Sequence, residues 1–174
     1  MPDLQTGKTR MTGQITIKNA GLVLTAPFLP NFFRHLSYLD VMRFADEKTH
    51  AKAIYLLEYM VTGDNGITGD LSLNALLCGW PPSRPIPPPP LLGDVEKQQA
   101  DLVVDAIRAH WTAPGNMTAN DLRHAFMKRT GMLDMGLAHR LTVEHAPQDV
   151  LLRELPWVYA TTRTPWSEVI TVEW

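Results

Sequence analysis

Apolar positions along this chain change their period several times, and each change marks an element. Ile15 and Ile17 alternate with Gln14, Thr16 and Lys18, which predicts a short half-buried strand. From Asn19 to Leu39 the chain is almost uniformly apolar but broken by Pro27 and Pro30. Proline costs about 3 kcal/mol inside a helix, so this stretch predicts two short helical pieces, the second starting near Pro30. Ala53, Leu56, Leu57 and Met60 then recur at helical spacing, predicting a helix over 48–61 with Asp46 as its cap and Gly63 as its stop. Beyond the turn residues 63–66, Asp70 can cap a shorter helix ending at Gly79.

The second half begins after Pro81–Pro90, where seven of ten residues are proline. Such a segment is extended polyproline II and reads as a stiff connector within one domain. Asp94 opens a long helix with Gln99, Leu102, Val103, Ala106, Ile107 and His110 on one face and Trp111 at its end. Thr118 and Asp121 form a capping-box pattern for a helix carrying Leu122, Ala125 and Phe126, with Gly131 as its stop. A further short helix over 148–154 ends before Pro156. Residues 141–145 and 170–174 share the order apolar, Thr, Val, Glu, ring, which predicts two strands. Leu141, Val143 and His145 share one face, as do Ile170, Val172 and Trp174. The two strands are expected to pair antiparallel, with the 14–18 strand beside them.

The predicted class is α+β, mainly α: several short helices with a small antiparallel sheet formed largely by the C-terminal strands. Residues 1–13 are polar and Gly/Thr-rich and read as a flexible N-terminal arm, leaving 14–174 as a single domain.

Composition narrows the function more by exclusion than by indication. The 45% hydrophobic and 20% charged content is that of a globular protein, and the net charge of -2 is spread without a basic block. That pattern argues against nucleic-acid binding and against a polybasic membrane patch. No apolar run is long enough for a membrane span or a secretion signal, so a cytoplasmic site of synthesis and assembly is expected. The lone Cys78 follows Leu76 and Leu77 and reads as a small core residue.

Catalytic chemistry finds no support. The six histidines lack metal-ligand spacing, and no phosphate-binding glycine loop is present. Asp101 and Asp105 lie one turn apart on a polar helix face, and Glu144 and His145 point to opposite sides of their strand. No catalytic residue, metal or cofactor is expected. His139, Glu144 and His145 remain the residues on which a hydrolase reading would rest.

The order of segments carries more than any single residue. NAGLVLTAPFLPNFF over 19–33, AIYLLEYMVTG over 53–63, LNALLCGWP over 73–81 and AIRAHW over 106–111 precede three Trp-ending tripeptides, LPW at 155–157, TPW at 164–166 and VEW at 172–174. Over residues 15–174 this resembles the C-terminal domain of the tape measure proteins of extracellular contractile injection systems. These are phage-tail-like particles that drive a tube through a contracting sheath.

The resemblance implies a structural assembly role, not an enzyme, in setting tube and sheath length. It implies partners among tube, hub, baseplate or cap subunits, and a place inside or at the end of the particle. A domain of this size is only ~40 Å across, too short to be a ruler alone. The expected role is therefore an anchoring or tube-terminating module, either standing alone or accompanying a longer ruler protein. A soluble adaptor or chaperone for cargo loading into the tube lumen is the alternative. Phe28, Phe32, Trp80, Trp111, Trp157, Trp166 and Trp174 are the candidate packing anchors or partner contacts.

Overall fold

Alternation in the first strand survives in three dimensions: in β1 (Gln14–Ile17), Ile17 is fully buried while Gln14 and Thr16 face outward. The computed structural model describes residues 13–174. The arm expected over 1–13 lies outside them except for Gly13, whose carbonyl accepts the Met135 N–H at 3.0 Å.

The two prolines divide the next stretch as expected. Ala20–Phe28 winds as 3-10 turns, and α1 (Leu29–His35) follows with Pro30 in its first turn. A hairpin of β2 (Leu39–Asp40) and β3 (Arg43–Phe44) comes next, too short to show a period in the sequence. Helix α2 (Glu47–Thr62) opens on a reciprocal cap, where Asp46 Oδ1 accepts the Thr49 N–H at 2.7 Å. It closes at Gly63, whose φ of 72° favours a residue without Cβ. Asp70 Oδ1 accepts the Ser72 N–H at 2.7 Å and starts α3 (Ser72–Leu77).

The proline-rich stretch forms neither helix nor strand, and it is held by the Tyr55 hydroxyl, which donates to the Pro87 carbonyl. Helix α4 (Asp94–His110) buries Ala100, Val103, Val104 and Ile107. This corrects the expected face, since Leu102 and His110 lie exposed. The small Ala100 permits close approach, and docking of α4 against α2 and the 20–28 segment selects that side. Helix α5 (Ala119–Leu122) starts on the predicted Thr118–Asp121 box and continues as one π turn, Arg123–Met127. Gly131 does not stop that helix; it begins β4 (Gly131–Asp134), which pairs antiparallel with β1.

Strand β5 (His139–Val143) starts earlier than expected, and His145 lies exposed beyond its end. A 3-10 helix (Pro147–Glu154), the short β6 (Thr161–Thr162) and β7 (Ile170–Glu173) complete the order. The sheet runs β1-β4-β5-β7-β6. Its class is α+β and mainly α, but β5 and β7 pair parallel, so the sheet is mixed and not wholly antiparallel. Residues 144–169 carry the chain back to the end where β5 began, the crossover a parallel pair requires. Leu141 and Val172 face each other in register and both are buried. One continuous apolar cluster, from Ile17 to Val172, joins sheet and helices across the proline-rich stretch.

Candidate functional site

The second Pro-Trp loop is positioned by backbone before it is positioned by rings. The Thr164 hydroxyl donates to the Leu77 carbonyl at 2.8 Å, and the Trp166 main chain lies on Gly79 so closely that a Cβ there would meet the Trp166 carbonyl oxygen at 2.5 Å. Gly79 also has φ of 65°, so both conformation and space call for glycine. Trp166 then packs edge-on to Phe33 at 5.7 Å and tilted on Phe44 at 5.1 Å, while its indole N–H donates to the Met42 carbonyl at 2.8 Å. The loop thereby clasps α1, the β2–β3 hairpin and the end of α3.

His50 extends this cluster. Its ring stacks on Phe44 at 4.3 Å and meets Trp80 edge-on at 4.9 Å, and its Nε2 lies 2.6 Å from the Cys78 carbonyl, so Nε2 carries the proton. Arg84 sits over Trp80 at 4.8 Å and pairs with Glu47 at 2.6 Å. Burial pushes the His50 pKa below its ordinary value; the Cys78 carbonyl opposes this, Arg84 adds to it and Glu47 opposes it.

Because the folded form resists protonation, this contribution to stability is complete above the unfolded value of 6.5 and is lost as pH falls from there towards the folded value. Asp46, Glu96, Asp121 and Asp149 are held below their ordinary range, so their contributions fade only at more acid pH, below their unfolded values. Thermal melts between about pH 5 and 7 are expected to show a falling Tm in the parent chain. His50→Gln, which keeps an N–H donor, is expected to flatten that limb while leaving the carboxylate limb intact.

The other aromatic candidates separate. Phe28 meets Trp157 edge-on at 5.2 Å and His110 at 6.1 Å. Phe32 packs on Phe33 at 5.0 Å, and Trp111 packs on Phe126 at 4.7 Å with its N–H on the Leu151 carbonyl at 3.2 Å. Trp174 meets Tyr159 at 5.9 Å beneath the Arg129 guanidinium at 5.4 Å. Phe32, Trp80 and Trp111 are buried, whereas Phe28, Trp157, Trp166 and Trp174 are only partly covered. The seven residues therefore form several packing contacts and no single patch. Trp166→Ala is expected to cost about 2 kcal/mol, less than a fully buried tryptophan, measured by urea unfolding.

Sequence reasoning missed a polar cluster in the middle of the core. Glu58, 2% exposed, accepts four hydrogen bonds: the Thr68 N–H and hydroxyl, both at 2.7 Å, and the amides of Asn19 at 2.8 Å and Asn74 at 3.1 Å. Asn19 also donates to Asn74 Oδ1 at 2.7 Å. The cluster ties the 20–28 segment, α2, the 64–71 loop and α3 together with no cation within bonding distance among the described residues. A lone carboxylate inside AIYLLEYMV was its visible signal. Two ion pairs add to the frame: Arg129 with Asp149 at 2.6 Å beside the sheet, and Arg123 with Asp101 at 2.7 Å between the π turn and α4. Burial raises the Asp149 pKa, but Arg129 and the Ala146 N–H outweigh it.

The residues considered for catalysis do not assemble a centre. His139 Nε2 lies 2.9 Å from Glu168, while Glu144 and His145 are exposed past β5. Burial pushes the Cys78 thiol well up, the opposite of an activated nucleophile. Among the described residues no three His, Cys, Asp or Glu side chains converge as a metal site, and no helix is long and apolar enough to cross a membrane.

Compared with known families, residues 3–174 match the family described as contractile injection system tape measure protein. No curated protein and no solved structure matches the chain.

Proposed function

The chain belongs to the contractile injection system tape measure proteins, and from that membership we propose that it is the anchoring or tube-terminating module of the length-control apparatus. Family membership makes it a structural component that associates with other parts of such a particle. The finer role rests on shape. The longest helix among the described residues is α4, 17 residues or about 25 Å, and it packs into the core instead of extending from it. A body of this kind suits a fixed point at the end of a tube better than a measure of its length.

In this reading residues 14–174 act as one domain, with the proline-rich stretch as its internal connector, because a single apolar cluster crosses both halves. The aromatic candidates serve first as packing anchors that hold the docking surface in shape. Its partners are tube, hub, baseplate or cap subunits, with a longer ruler as a companion. Assembly takes place in the cytoplasm, and the module then stays with the released particle.

Electron microscopy of particles from a strain lacking the gene tests this. Loss of particles, or a broad distribution of sheath lengths, is the expected result. Particles normal in number and length but empty in the lumen would overturn it in favour of a cargo-loading adaptor.

A further inference from the structure

We propose that Asn65 is a site of self-modification: its side-chain amide is displaced by the Gly66 main-chain nitrogen, with the Asp64 carboxylate as base, leaving aspartate or isoaspartate at position 65. Three observations in the turn after α2 converge on this. Asn65 and Gly66 are both exposed, and the Asn65 amide takes no part in the hydrogen bonds that hold the turn. The attacking nitrogen is unshielded, because Gly66 has no side chain to cover it. The Gly66 N–H already donates to Asp64 Oδ1 at 2.6 Å, within the reach that a general base needs.

The step needs only water as a co-reactant. Asp64 Oδ1 takes the Gly66 amide proton, and the nitrogen forms a bond to Asn65 Cγ. The Cγ–Nδ2 bond breaks, and that nitrogen leaves as ammonia with the proton returned by Asp64. Water then opens the five-membered ring. Opening at Cγ restores an ordinary backbone and gives aspartate. Opening at the main-chain carbonyl of residue 65 gives isoaspartate, whose backbone now runs through the side-chain methylene. Nucleophile and target are neighbours in the chain, so the reaction asks for orientation and not for a partner.

The turn is pinned on both sides of this peptide. The Thr62 hydroxyl donates to the Asp64 carbonyl at 2.8 Å, and the Thr68 N–H and hydroxyl both donate to Glu58 at 2.7 Å. Aspartate adds an exposed charge and leaves the spacing of these anchors unchanged. Isoaspartate adds a backbone atom between them, so the Thr68 end must shift against a carboxylate fixed in the core. The modification thereby couples an exposed turn to the buried Glu58 cluster and limits how long that cluster stays intact.

Peptide mass spectrometry of the full chain, incubated for weeks at neutral pH in heavy-oxygen water, tests the proposal. Conversion of Asn65 with uptake of heavy oxygen is expected, and enzymatic carboxyl methylation identifies the isoaspartyl fraction. Asn116, an exposed asparagine followed by Met117, is the internal control and is expected to convert severalfold more slowly. Asp64→Ser keeps a turn-forming oxygen without a carboxylate and is expected to slow Asn65 severalfold. Gly66→Ala, at a position whose φ is not positive, is expected to slow it as well, since its Cβ would meet Asp64 Oδ1 at 2.7 Å. The isolated isoaspartyl form is expected to melt below the parent, and Asn65→Asp to melt with it. An Asn65 that stays intact, or that converts no faster than Asn116, overturns the proposal. So does a rate that Asp64→Ser leaves unchanged or raises, or an isoaspartyl form as stable as the parent.

Discussion

Gly21→Ala is expected to destabilise the protein by about 3 kcal/mol or more, near the top of the range for an overpacked core. In a chain of this size that corresponds to a fall in Tm of about 6–12 °C. Gly21 lies where the 20–28 segment crosses the π turn, and a Cβ there would come within 1.7 Å of the Phe126 carbonyl oxygen and 2.5 Å of Met127 Cα. Both obstacles are backbone, so no rotamer change relieves them. The crossing is also pinned nearby by the Ala20 N–H on the Arg129 carbonyl at 2.9 Å. Urea unfolding checks the prediction. Gly115→Ala is a useful contrast: nothing lies within 4 Å of its Cβ position, although its φ of 69° adds a local cost of about 1 kcal/mol. An equal loss at both positions would show that backbone conformation, and not the crossing, sets the penalty at Gly21.

Glu58→Leu is the second large effect, with an expected loss of about 3–5 kcal/mol. Leucine fills a similar volume, so the cost does not come from a cavity. It comes from donors on Asn19, Asn74 and Thr68 that are left without an acceptor inside the core. The Asn19 Oδ1 atom already has no partner among the described residues, so the cluster has little spare capacity to rearrange. Glu58→Gln keeps one acceptor oxygen for the Thr68 pair and is expected to lose only about 1–2 kcal/mol. Unfolding curves for the two variants test this: equal losses would mean that the acceptor kept for Thr68 is worth nothing and that the oxygen facing the Asn19 and Asn74 amides sets the whole cost. A drop in particle number with Glu58→Leu and not with Glu58→Gln would connect this cluster to assembly through stability alone.

Much of the local structure was legible because its causes are local. The Asp46 and Thr118 caps, the Gly63 stop and the break at Pro30 depend on residues within about four positions of each other, and each appears where the pattern put it. The aromatic candidates were legible as anchors, but their partners were not. Nothing in the spacing of Trp166 says that it meets Phe44, 122 positions earlier, or that its main chain rests on Gly79. The β2–β3 hairpin and β6 are each two residues per strand, below the length at which alternation can be read. Glu58 was visible as a charge in an apolar helix, yet its four donors come from three separate segments and could not be anticipated from α2 alone.

By itself, then, the sequence determined the α+β class, the helix caps and stops, the family through the order of its motifs, and the inward positions of Leu141, Val143, Ile170 and Val172. Only the tertiary structure decided that β5 and β7 run parallel, which face of α4 is buried, and which donors satisfy Glu58. Period and capping are short-range: they are set by sterics and hydrogen bonds within a turn or two of backbone. Strand direction and helix rotation are set by the path of residues 144–169 and by close packing of α4 against α2 and the 20–28 segment. Such choices involve residues tens of positions apart, and alternation in a single strand or helix is the same for either outcome.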